Sequence, residues 1–482
     1  MTAPASESTS GHAGPQPRRP VENVPATTHR MDGTSVLPPG PREPAFIQAL
    51  RYVLDPYATI ESHTRRFGTR FTGYMPGLPA TVTFSDPEAI KDIFTCDEDQ
   101  VHAGEATGRL LAPILGASSL LVLDGSRHLR ERRLMLPPFH GERIHVYGRI
   151  MREVTERVVA AWHVGRRFPI HREMQAITLE VIMRAVFGVD EGPKLERLRR
   201  CVLRLLHLAD SVAAPFLFIP MLRLELGGLT PWGRFLRDRR ELEDILLVEI
   251  ACRRAGGTDG RADILSMLID ARDEHGMPMG DQDLLDELLT LLMAGHETTA
   301  TSLAWVFHHV LPRADVLERL HAELREVTGD GDVRPEQVGR LEYLDAVIKE
   351  SARLTPVATN VVRVLKRPMR IGGLDLPTGI AVSAGIYATH HRPDLWPEPE
   401  RFDPERFRRS RPNPYAFLPF GGGLRRCLGA AFATYEMKVV LAAVLSRVAL
   451  RTAPGYRMRP VLRAVTIGPS GGMPVVVEQR VA

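Results

Sequence analysis

One cysteine near the C-terminus lies in a setting suited to holding a metal. Cys427 follows three consecutive glycines that begin at Gly421, with Phe420 ahead of them and two arginines immediately before the sulfur. Cysteine binds metals as the thiolate, a form that nearby cations and backbone N–H groups favour. Glycines let the chain bring amides close to the sulfur, and Gly429 lets the next segment approach a flat cofactor. The pattern predicts a metal-bound thiolate rather than an ordinary buried thiol.

A second group of reactive side chains lies in an apolar helical stretch that we predict from residue 281 to about residue 311. An interior glycine costs a helix about 1 kcal/mol relative to alanine, so Gly295 needs a local reason. The hydroxyl of Thr298 is four residues after Ala294 and within reach of its carbonyl. Glu297 and Thr298 place an acid beside an alcohol, a combination that can transfer protons. Taken alone, the pair is more typical of a solvated acid and an ordinary helix threonine than of a proton-transfer site.

Glu350 and Arg353 form the third candidate group. They are spaced i, i+3 on a helix that we predict over residues 341–354, before Pro356. At a surface such a pair contributes only a few tenths of a kcal/mol, about what an isolated helix pair gives. The pair would have a structural role only if it were buried together with a third charged partner.

Composition limits the classes of function. The chain has 482 residues, of which 44% are hydrophobic and 25% charged, with a net charge of +4. Such a chain can bury a large core, and its mild charge gives no argument for nucleic acid as a partner. The four cysteines lie far apart without a CxxC pair, which predicts neither a disulfide framework nor a zinc site. A reducing, cytoplasmic compartment is therefore expected.

The organisation of the chain is mainly helical. Residues 1–36 are rich in Pro, Ser, Thr, Ala and Gly and are predicted to be a disordered tail before a domain over residues 37–482. The tail has no apolar stretch that would serve as a signal peptide or membrane anchor. Strand-like patterns occur as a hairpin over residues 70–84, over residues 363–383 and near the C-terminus. Helical periodicity fills most of the rest.

The cysteine segment resembles the haem-binding loop of the cytochrome P450 family, Phe-x-x-Gly-x-Arg-x-Cys-x-Gly, and matches it at every fixed position from Phe420 to Gly429. The resemblance covers residue 37 to the C-terminus, and its four motifs occur in family order. It implies one mainly α haem domain with a long central helix and small β-sheets, in place of the several domains that length alone suggests. It also implies haem b (iron protoporphyrin IX) with Cys427 as the proximal thiolate.

The same resemblance implies roles on the other face of the cofactor. Glu297 and Thr298 match the acid and alcohol that deliver protons to bound dioxygen, with Glu297 drawing them from solvent. Gly295 is expected to open a groove for dioxygen. In the family, Glu350 and Arg353 belong to a buried triad whose third member is here expected to be Arg406. Arg401 lies in an overlapping copy of that motif.

Four cations match the positions that bind haem propionates in the family. They are His128, Arg132, Arg363 and Arg425. Arginine binds carboxylates with strong, directional hydrogen bonds. A basic helix face for solvent or a partner is the alternative for the neighbouring arginines. The histidine pairs 308–309 and 390–391 are expected to be structural.

The implied function is a monooxygenase that inserts one oxygen atom from O2 into a small apolar organic substrate such as a terpenoid, steroid, fatty acyl chain or polyketide. Electrons are expected from a separate ferredoxin or flavodoxin with its NAD(P)H-dependent reductase. We expect the partner to dock on a basic surface beside the cysteine, formed by Arg130, Arg133, Arg408, Arg409, Arg426 and Lys438. We expect the substrate pocket to include residues 104–119, 205–222, 357–361 and 469–473 and Met293.

Two alternatives stay open at this point. The first is a peroxide-driven or rearranging haem-thiolate enzyme; family members of those types generally lack the acid and alcohol, so Glu297 and Thr298 argue against it. The second is a haem-binding sensor or carrier without turnover.

Overall fold

The protein is described from a computed structural model. It describes residues 29–31, 35–139, 141, 143–188, 192–209, 223–225, 227–329 and 333–481. Most of the tail predicted over residues 1–36 lies outside the described residues, as does the segment 211–222 of the expected pocket roof. Within the tail, strand β1 (His29–Met31) pairs antiparallel with β2 (Ser35–Leu37).

Helices make up most of the described chain. The α-helices span Ala45–Leu54, Pro56–Phe67, Pro87–Thr95, Gly104–Leu115, Gly125–Met135, Arg143–Ala160, Ile170–Phe187, Pro193–Ala209, Pro231–Gly256, Ile264–Asp270, Asp281–Val310, Ala314–Thr328, Glu342–Leu354, Ile386–His390, Arg406–Arg409 and Ala430–Leu445. Short 3-10 helices span Pro137–Phe139, Gly227–Leu229, Pro335–Arg340, Gly423–Arg425 and Ser470–Gly472. The predicted helical architecture is confirmed.

Small sheets flank the helices. The remaining strands are β3 (Arg70–Gly73), β4 (Thr81–Phe84), β5 (Val101–His102), β6 (Arg167–Pro169), β7 (Asn360–Leu365), β8 (Met369–Ile371), β9 (Leu374–Leu376), β10 (Ala381–Gly385), β11 (Val448–Thr452), β12 (Pro460–Arg463), β13 (Thr466–Pro469) and β14 (Pro474–Arg480). The largest sheet has the order β3-β4-β10-β7-β5, in which only β4 and β10 are parallel. The hairpin predicted over residues 70–84 is the antiparallel pair β3–β4. The other sheets are β11-β14-β6, β8-β9 and β12-β13.

The longest helix, Asp281–Val310, crosses the core and is called the central helix below. It buries side chains on most of its sides, because its leucines and aromatic residues pack against the helix Ile170–Phe187 and other neighbours. Its bounds agree with the stretch predicted from residue 281 to about residue 311. Within the described part of the chain, no helix combines the length and apolarity needed to cross a bilayer.

The helix Pro87–Thr95 begins with a side-chain cap. The carboxylate of Asp86 accepts hydrogen bonds from the N–H groups of Glu88 at 3.0 Å and Ala89 at 3.3 Å, and Pro87 occupies the first turn. This cap satisfies amides that have no partner inside the helix. The helix carries Phe94 to the glycine loop described next.

Candidate functional site

Backbone hydrogen bonds shape the loop that carries Cys427. The N–H of Cys427 donates to the carbonyl of Phe420 at 2.9 Å, and the N–H of Gly421 donates to the carbonyl of Leu418 at 3.0 Å. Gly421 and Gly423 have φ angles of 65° and 64°, in the left-handed region that favours glycine. The loop therefore depends on glycine at both positions.

Phe94 explains two of these glycines in a way that the sequence did not reveal. A Cβ atom on Gly422 would lie 2.3 Å from the Phe94 ring, and one on Gly423 would lie 2.2 Å from the Phe94 carbonyl oxygen. Only a chain without side chains at 422 and 423 packs this closely against the helix Pro87–Thr95. The glycines thus fix the loop on the helix as well as bending it.

Cys427 is an exposed residue, although protein surrounds its thiol on most sides. Burial raises the pKa of the Cys427 thiol, while the N–H of Gly429 and the charges of Arg132 and Arg426 act to lower it. A Cβ atom on Gly429 would meet nothing within 4 Å, so the space there is open. An exposed cysteine beside open space and cations fits a ligand to a flat metal cofactor.

Two of the predicted propionate cations contact two carboxylates that the sequence does not single out. His128 Nδ1 lies 2.6 Å from Glu98 Oε1, and Arg425 Nε lies 3.2 Å from the same oxygen. Arg425 Nη2 lies 2.6 Å from Asp124 Oδ1. The charges of Arg425 and Glu98 also act on Arg132, which donates through Nη2 to the Arg426 carbonyl at 2.7 Å.

Arg363 completes the cation cluster and has no carboxylate in direct contact among the described residues. Its residue surface is only 7% exposed, and among the described residues no carboxylate lies within 4.0 Å of its guanidinium. Burial, and then repulsion by Arg425, lower the pKa of Arg363 to about 10. A buried cation of this kind needs an anionic partner. The cluster therefore fits the two propionates of a haem better than it fits the protein alone.

The predicted triad meets in the interior. Glu350 Oε2 lies 2.7 Å from Arg353 Nε, and Glu350 Oε1 lies 3.1 Å from Arg406 Nε. Glu350 and Arg353 have side chains that are 0% exposed. Arg401 instead pairs with Glu398 at 3.1 Å and is 64% exposed. The structure thus places Arg406, and not Arg401, in the triad.

On the central helix, the Thr298 hydroxyl donates to the Ala294 carbonyl at 2.8 Å, as its spacing predicts. Ala294 is exposed although it lies in the middle of the central helix, which passes through the core. A Cβ atom on Gly295 would lie 3.3 Å from the Ile182 side chain of the neighbouring helix. This close helix packing explains why residue 295 is a glycine, independently of the expected dioxygen groove.

The Glu297 side chain faces the helix Ile170–Phe187, although we expected it to have access to solvent. Its side chain is 12% exposed, and its oxygens lie 3.2 Å from His171 Nε2 and 2.6 Å from Gln175 Nε2. Burial acts to raise the pKa of Glu297, but the hydrogen bond and charge of His171, with His296 and Gln175, lower it to about 2. The carboxyl is therefore ionised at neutral pH. The sequence singles out neither histidine; His171 reaches Glu297 across two helices, and such a contact leaves no local pattern.

The expected basic docking surface is mixed in charge. Five of its six cations have carboxylate partners, in the pairs Arg130–Asp273, Arg133–Glu274, Arg408–Glu405, Arg409–Asp403 and Lys438–Asp345. Three of these cations line a depression of about 590 Å³ together with the acids Glu342, Asp345 and Glu405. Among the described residues Arg426 alone of the six has no ion pair. The expected basic surface therefore contains acidic residues as well, and docking of the redox partner on it stays a prediction.

The site belongs to the class of haem-thiolate proteins. It combines a glycine loop that presents a cysteine, a buried cation cluster, and a helix with an acid and an alcohol. The sequence profile described as Cytochrome P450 matches residues 38–474. The chain belongs to the cytochrome P450 family. The family's haem, its use of O2 and of a redox partner, and its general activity as a haem-thiolate monooxygenase follow from this membership.

Individual relatives support the same assignment. Cytochrome P450 135B1 of Mycobacterium tuberculosis is 39% identical over 445 residues, 92% of each protein. Cytochrome P450 138 of the same species is 35% identical over 446 residues, 92% of this chain and 97% of that protein. A cyanobacterial cytochrome P450 solved with retinoic acid has a TM-score of 0.80 at 25% identity and covers 93% of this chain and 100% of its own. A cytochrome P450DA haem domain has a TM-score of 0.77 at 24% identity, over 92% and 97%.

Proposed function

We propose that the protein inserts one oxygen atom from O2 into a small apolar organic substrate, using two electrons from a separate ferredoxin or flavodoxin and its NAD(P)H-dependent reductase. Cys427 would hold haem b, and His128, Arg132, Arg363 and Arg425 would bind its propionates. When bound, the haem supplies oxygen activation, which the thiolate promotes by donating electron density. The observation that carries the proposal is the position of Thr298 directly after Glu297, with its hydroxyl anchored on the central helix.

The chain's own contribution is to hold protons and exclude stray ones. The Thr298 hydroxyl donates to the Ala294 carbonyl, so its oxygen keeps lone pairs that can accept a hydrogen bond from a water. Ala294 is exposed, so there is open space beside the helix in which such a water would lie. Gln175 and His171 hold Glu297, the residue before Thr298, in place. A proton delivered at Thr298 favours oxygen insertion, whereas unordered delivery releases peroxide.

The expected pocket supports an apolar substrate. Its described parts include the helix Gly104–Leu115, Met293 and residues 469–473, where small and apolar side chains dominate. The cyanobacterial relative binds retinoic acid, an apolar isoprenoid with one carboxylate. A terpenoid, steroid, fatty acyl chain or polyketide is the class of substrate that we propose.

The test uses haem-loaded protein with a surrogate ferredoxin, its reductase and a ligand selected by its shift of the haem spectrum. NAD(P)H consumed, product formed and peroxide released are measured together. The wild type should form product in step with NAD(P)H consumption. Thr298→Ala should divert most electrons to peroxide, whereas Ser302→Ala, one turn further along the same helix, should not. Unchanged coupling in Thr298→Ala contradicts the role of this hydroxyl, and turnover that needs only peroxide contradicts the monooxygenase proposal.

A further inference from the structure

Glu297 lies between two buried histidines. Its Oε1 atom is 3.2 Å from His171 Nε2, and its Oε2 atom is 4.0 Å from His296 Nε2. The histidine side chains are 3% and 1% exposed. Gln175 donates to Oε2 at 2.6 Å, and the Thr301 hydroxyl donates to Oε1 at 3.3 Å. The carboxylate is therefore held on both sides by groups from two helices.

The charge of this carboxylate has no lysine or arginine partner within 4.0 Å in the described part of the chain. On the C-terminal strands, Arg463 is the charged residue near the cluster: a Cβ on Gly468 would lie 3.3 Å from Thr301 Cγ2 and 3.4 Å from Arg463 Cδ. Among the described residues no ion pair within 4.0 Å joins Arg463 to Glu297. A buried ionised carboxylate without a counter-charge is costly, so a proton on an imidazole supplies that charge.

The hydrogen bonds indicate which imidazole carries the proton. His296 Nδ1 lies 2.8 Å from the Leu292 carbonyl, which can only accept, so Nδ1 of His296 bears a hydrogen. Burial lowers the pKa of His296, which favours a neutral ring whose Nε2 carries no hydrogen and has no hydrogen-bond partner among the described residues. His171 Nε2 reaches both Glu297 Oε1 and, at 3.1 Å, Thr301 Oγ1. An ionised carboxylate only accepts hydrogen bonds, so the His171 nitrogen at 3.2 Å from Glu297 Oε1 donates to it.

We propose that His171 is a positioning residue that stores, as an imidazolium paired with Glu297, the proton that this acid passes toward Thr298. The inference rests on the proposed monooxygenase function. In each passage the N–H bond at His171 Nε2 breaks and an O–H bond forms at Glu297 Oε1. The carboxyl group then releases a proton on the side of Thr298, and His171 is reprotonated from solvent. No electrons move, and the cluster returns to its starting charge.

The first test reads the proton directly and needs no substrate. Histidine labelled with ¹⁵N is incorporated into the haem-loaded protein, and ring nitrogens are observed by NMR across pH, with His171→Gln assigning the signal. We expect an imidazolium at His171 at neutral pH, and its replacement by a neutral ring in Glu297→Gln. A neutral His171 ring in the wild type at neutral pH overturns the proposal.

The second test separates a proton store from a structural histidine. The fraction of electrons that ends in product should fall in the wild type above the pH at which NMR shows His171 losing its proton. His171→Gln should give several-fold more peroxide and lose this pH dependence, with KM unchanged. The matched control is His309→Gln, which removes a buried histidine on the central helix that contacts Thr355 at 3.0 Å. An identical pH profile in His171→Gln and the wild type overturns the proposal. A wild type that makes no product contradicts only the monooxygenase proposal, since the NMR result stands on its own.

Discussion

His390 Nε2 accepts a hydrogen bond of 2.8 Å from the backbone N–H of Leu418, in the segment that leads into the cysteine loop. The other ring nitrogen of His390 lies 3.1 Å from the carbonyl of Arg353, and Arg353 Nη1 donates to the His390 carbonyl at 2.8 Å. This one imidazole therefore connects the buried triad to the chain that presents Cys427. The contact gives the triad a mechanical link to the haem ligand.

We expect His390→Leu to lower haem retention and stability. The substitution leaves the buried N–H of Leu418 without an acceptor, which costs about 1–3 kcal/mol. Haem content per protein and the thermal unfolding midpoint measure the effect. The control is His275→Leu, because that side chain is 78% exposed. Equal haem content in the two variants contradicts the link.

Arg406→Ala and Arg401→Ala separate the triad from its neighbouring motif. Glu350 is 0% exposed and would lose one of its two cations in Arg406→Ala, and breaking a buried ion pair costs about 3–5 kcal/mol. Arg401 is largely exposed, so its loss should cost about 0–1 kcal/mol. Denaturant unfolding of both variants measures the difference. Similar losses of unfolding free energy in the two variants would contradict the assignment of Arg406 to the triad.

Glu436 predicts a pH dependence of stability with a definite sign. It is fully buried behind the cysteine loop with one oxygen unpartnered among the described residues, and burial raises its pKa well above the usual 4.5. Since the folded protein holds this proton more tightly than the unfolded chain, the stability that it contributes is present below pH 4.5. It is lost as the pH rises toward the folded-state pKa.

Glu436→Gln removes this dependence, because glutamine is neutral at every pH. The free energy of unfolding of the variant relative to wild type should therefore be larger at pH 8 than at pH 5. The difference grows by about 1.4 kcal/mol for each pH unit over which the unfolded wild-type chain has lost the Glu436 proton while the folded protein still holds it. Glu478→Gln is the control, since its side chain is 48% exposed. A constant difference between Glu436→Gln and wild type across this range would show that Glu436 is ionised in the fold.

Arg426 should matter more for electron delivery than the other cations that were expected at the docking surface. It precedes the haem ligand and lacks an ion pair among the described residues, whereas Arg408 pairs with Glu405 at 3.3 Å. Arg426→Glu should slow reduction by the ferredoxin or flavodoxin several-fold at low salt, and the difference should shrink as salt screens it. Arg408→Glu should change the rate less. Equal rates in Arg426→Glu and wild type would place the docking surface elsewhere.

The elements that the sequence predicts best are those with local causes. The central helix, the hairpin β3–β4 and the Asp86 cap follow from periodicity and from capping and turn chemistry within a few residues. The triad could also be anticipated, because its spacing matches a family pattern. Position relative to Trp396 and Pro397 favours Arg406 over Arg401 as the third member.

What the sequence left unpredicted depends on contacts between distant segments. Phe94 explains the glycines at 422 and 423 only once the helix that carries it packs on the loop. His171 lies more than a hundred residues before Glu297 in the chain, and its ring reaches that acid only when two helices cross. The five ion pairs that neutralise the expected docking surface are also long-range or depend on local side-chain geometry. Such contacts are set by tertiary packing, which a linear motif does not encode.

The central claim is that Cys427 provides the thiolate ligand to haem iron, and the carbon monoxide adduct of the reduced, haem-loaded protein tests it most directly. Wild-type protein should show the strongly red-shifted Soret band of a thiolate-ligated adduct, and Cys427→Ser should lose it. Cys201→Ser, at a buried cysteine on the helix Pro193–Ala209, should keep it. A wild-type adduct without this band, or a band that survives in Cys427→Ser, contradicts the account.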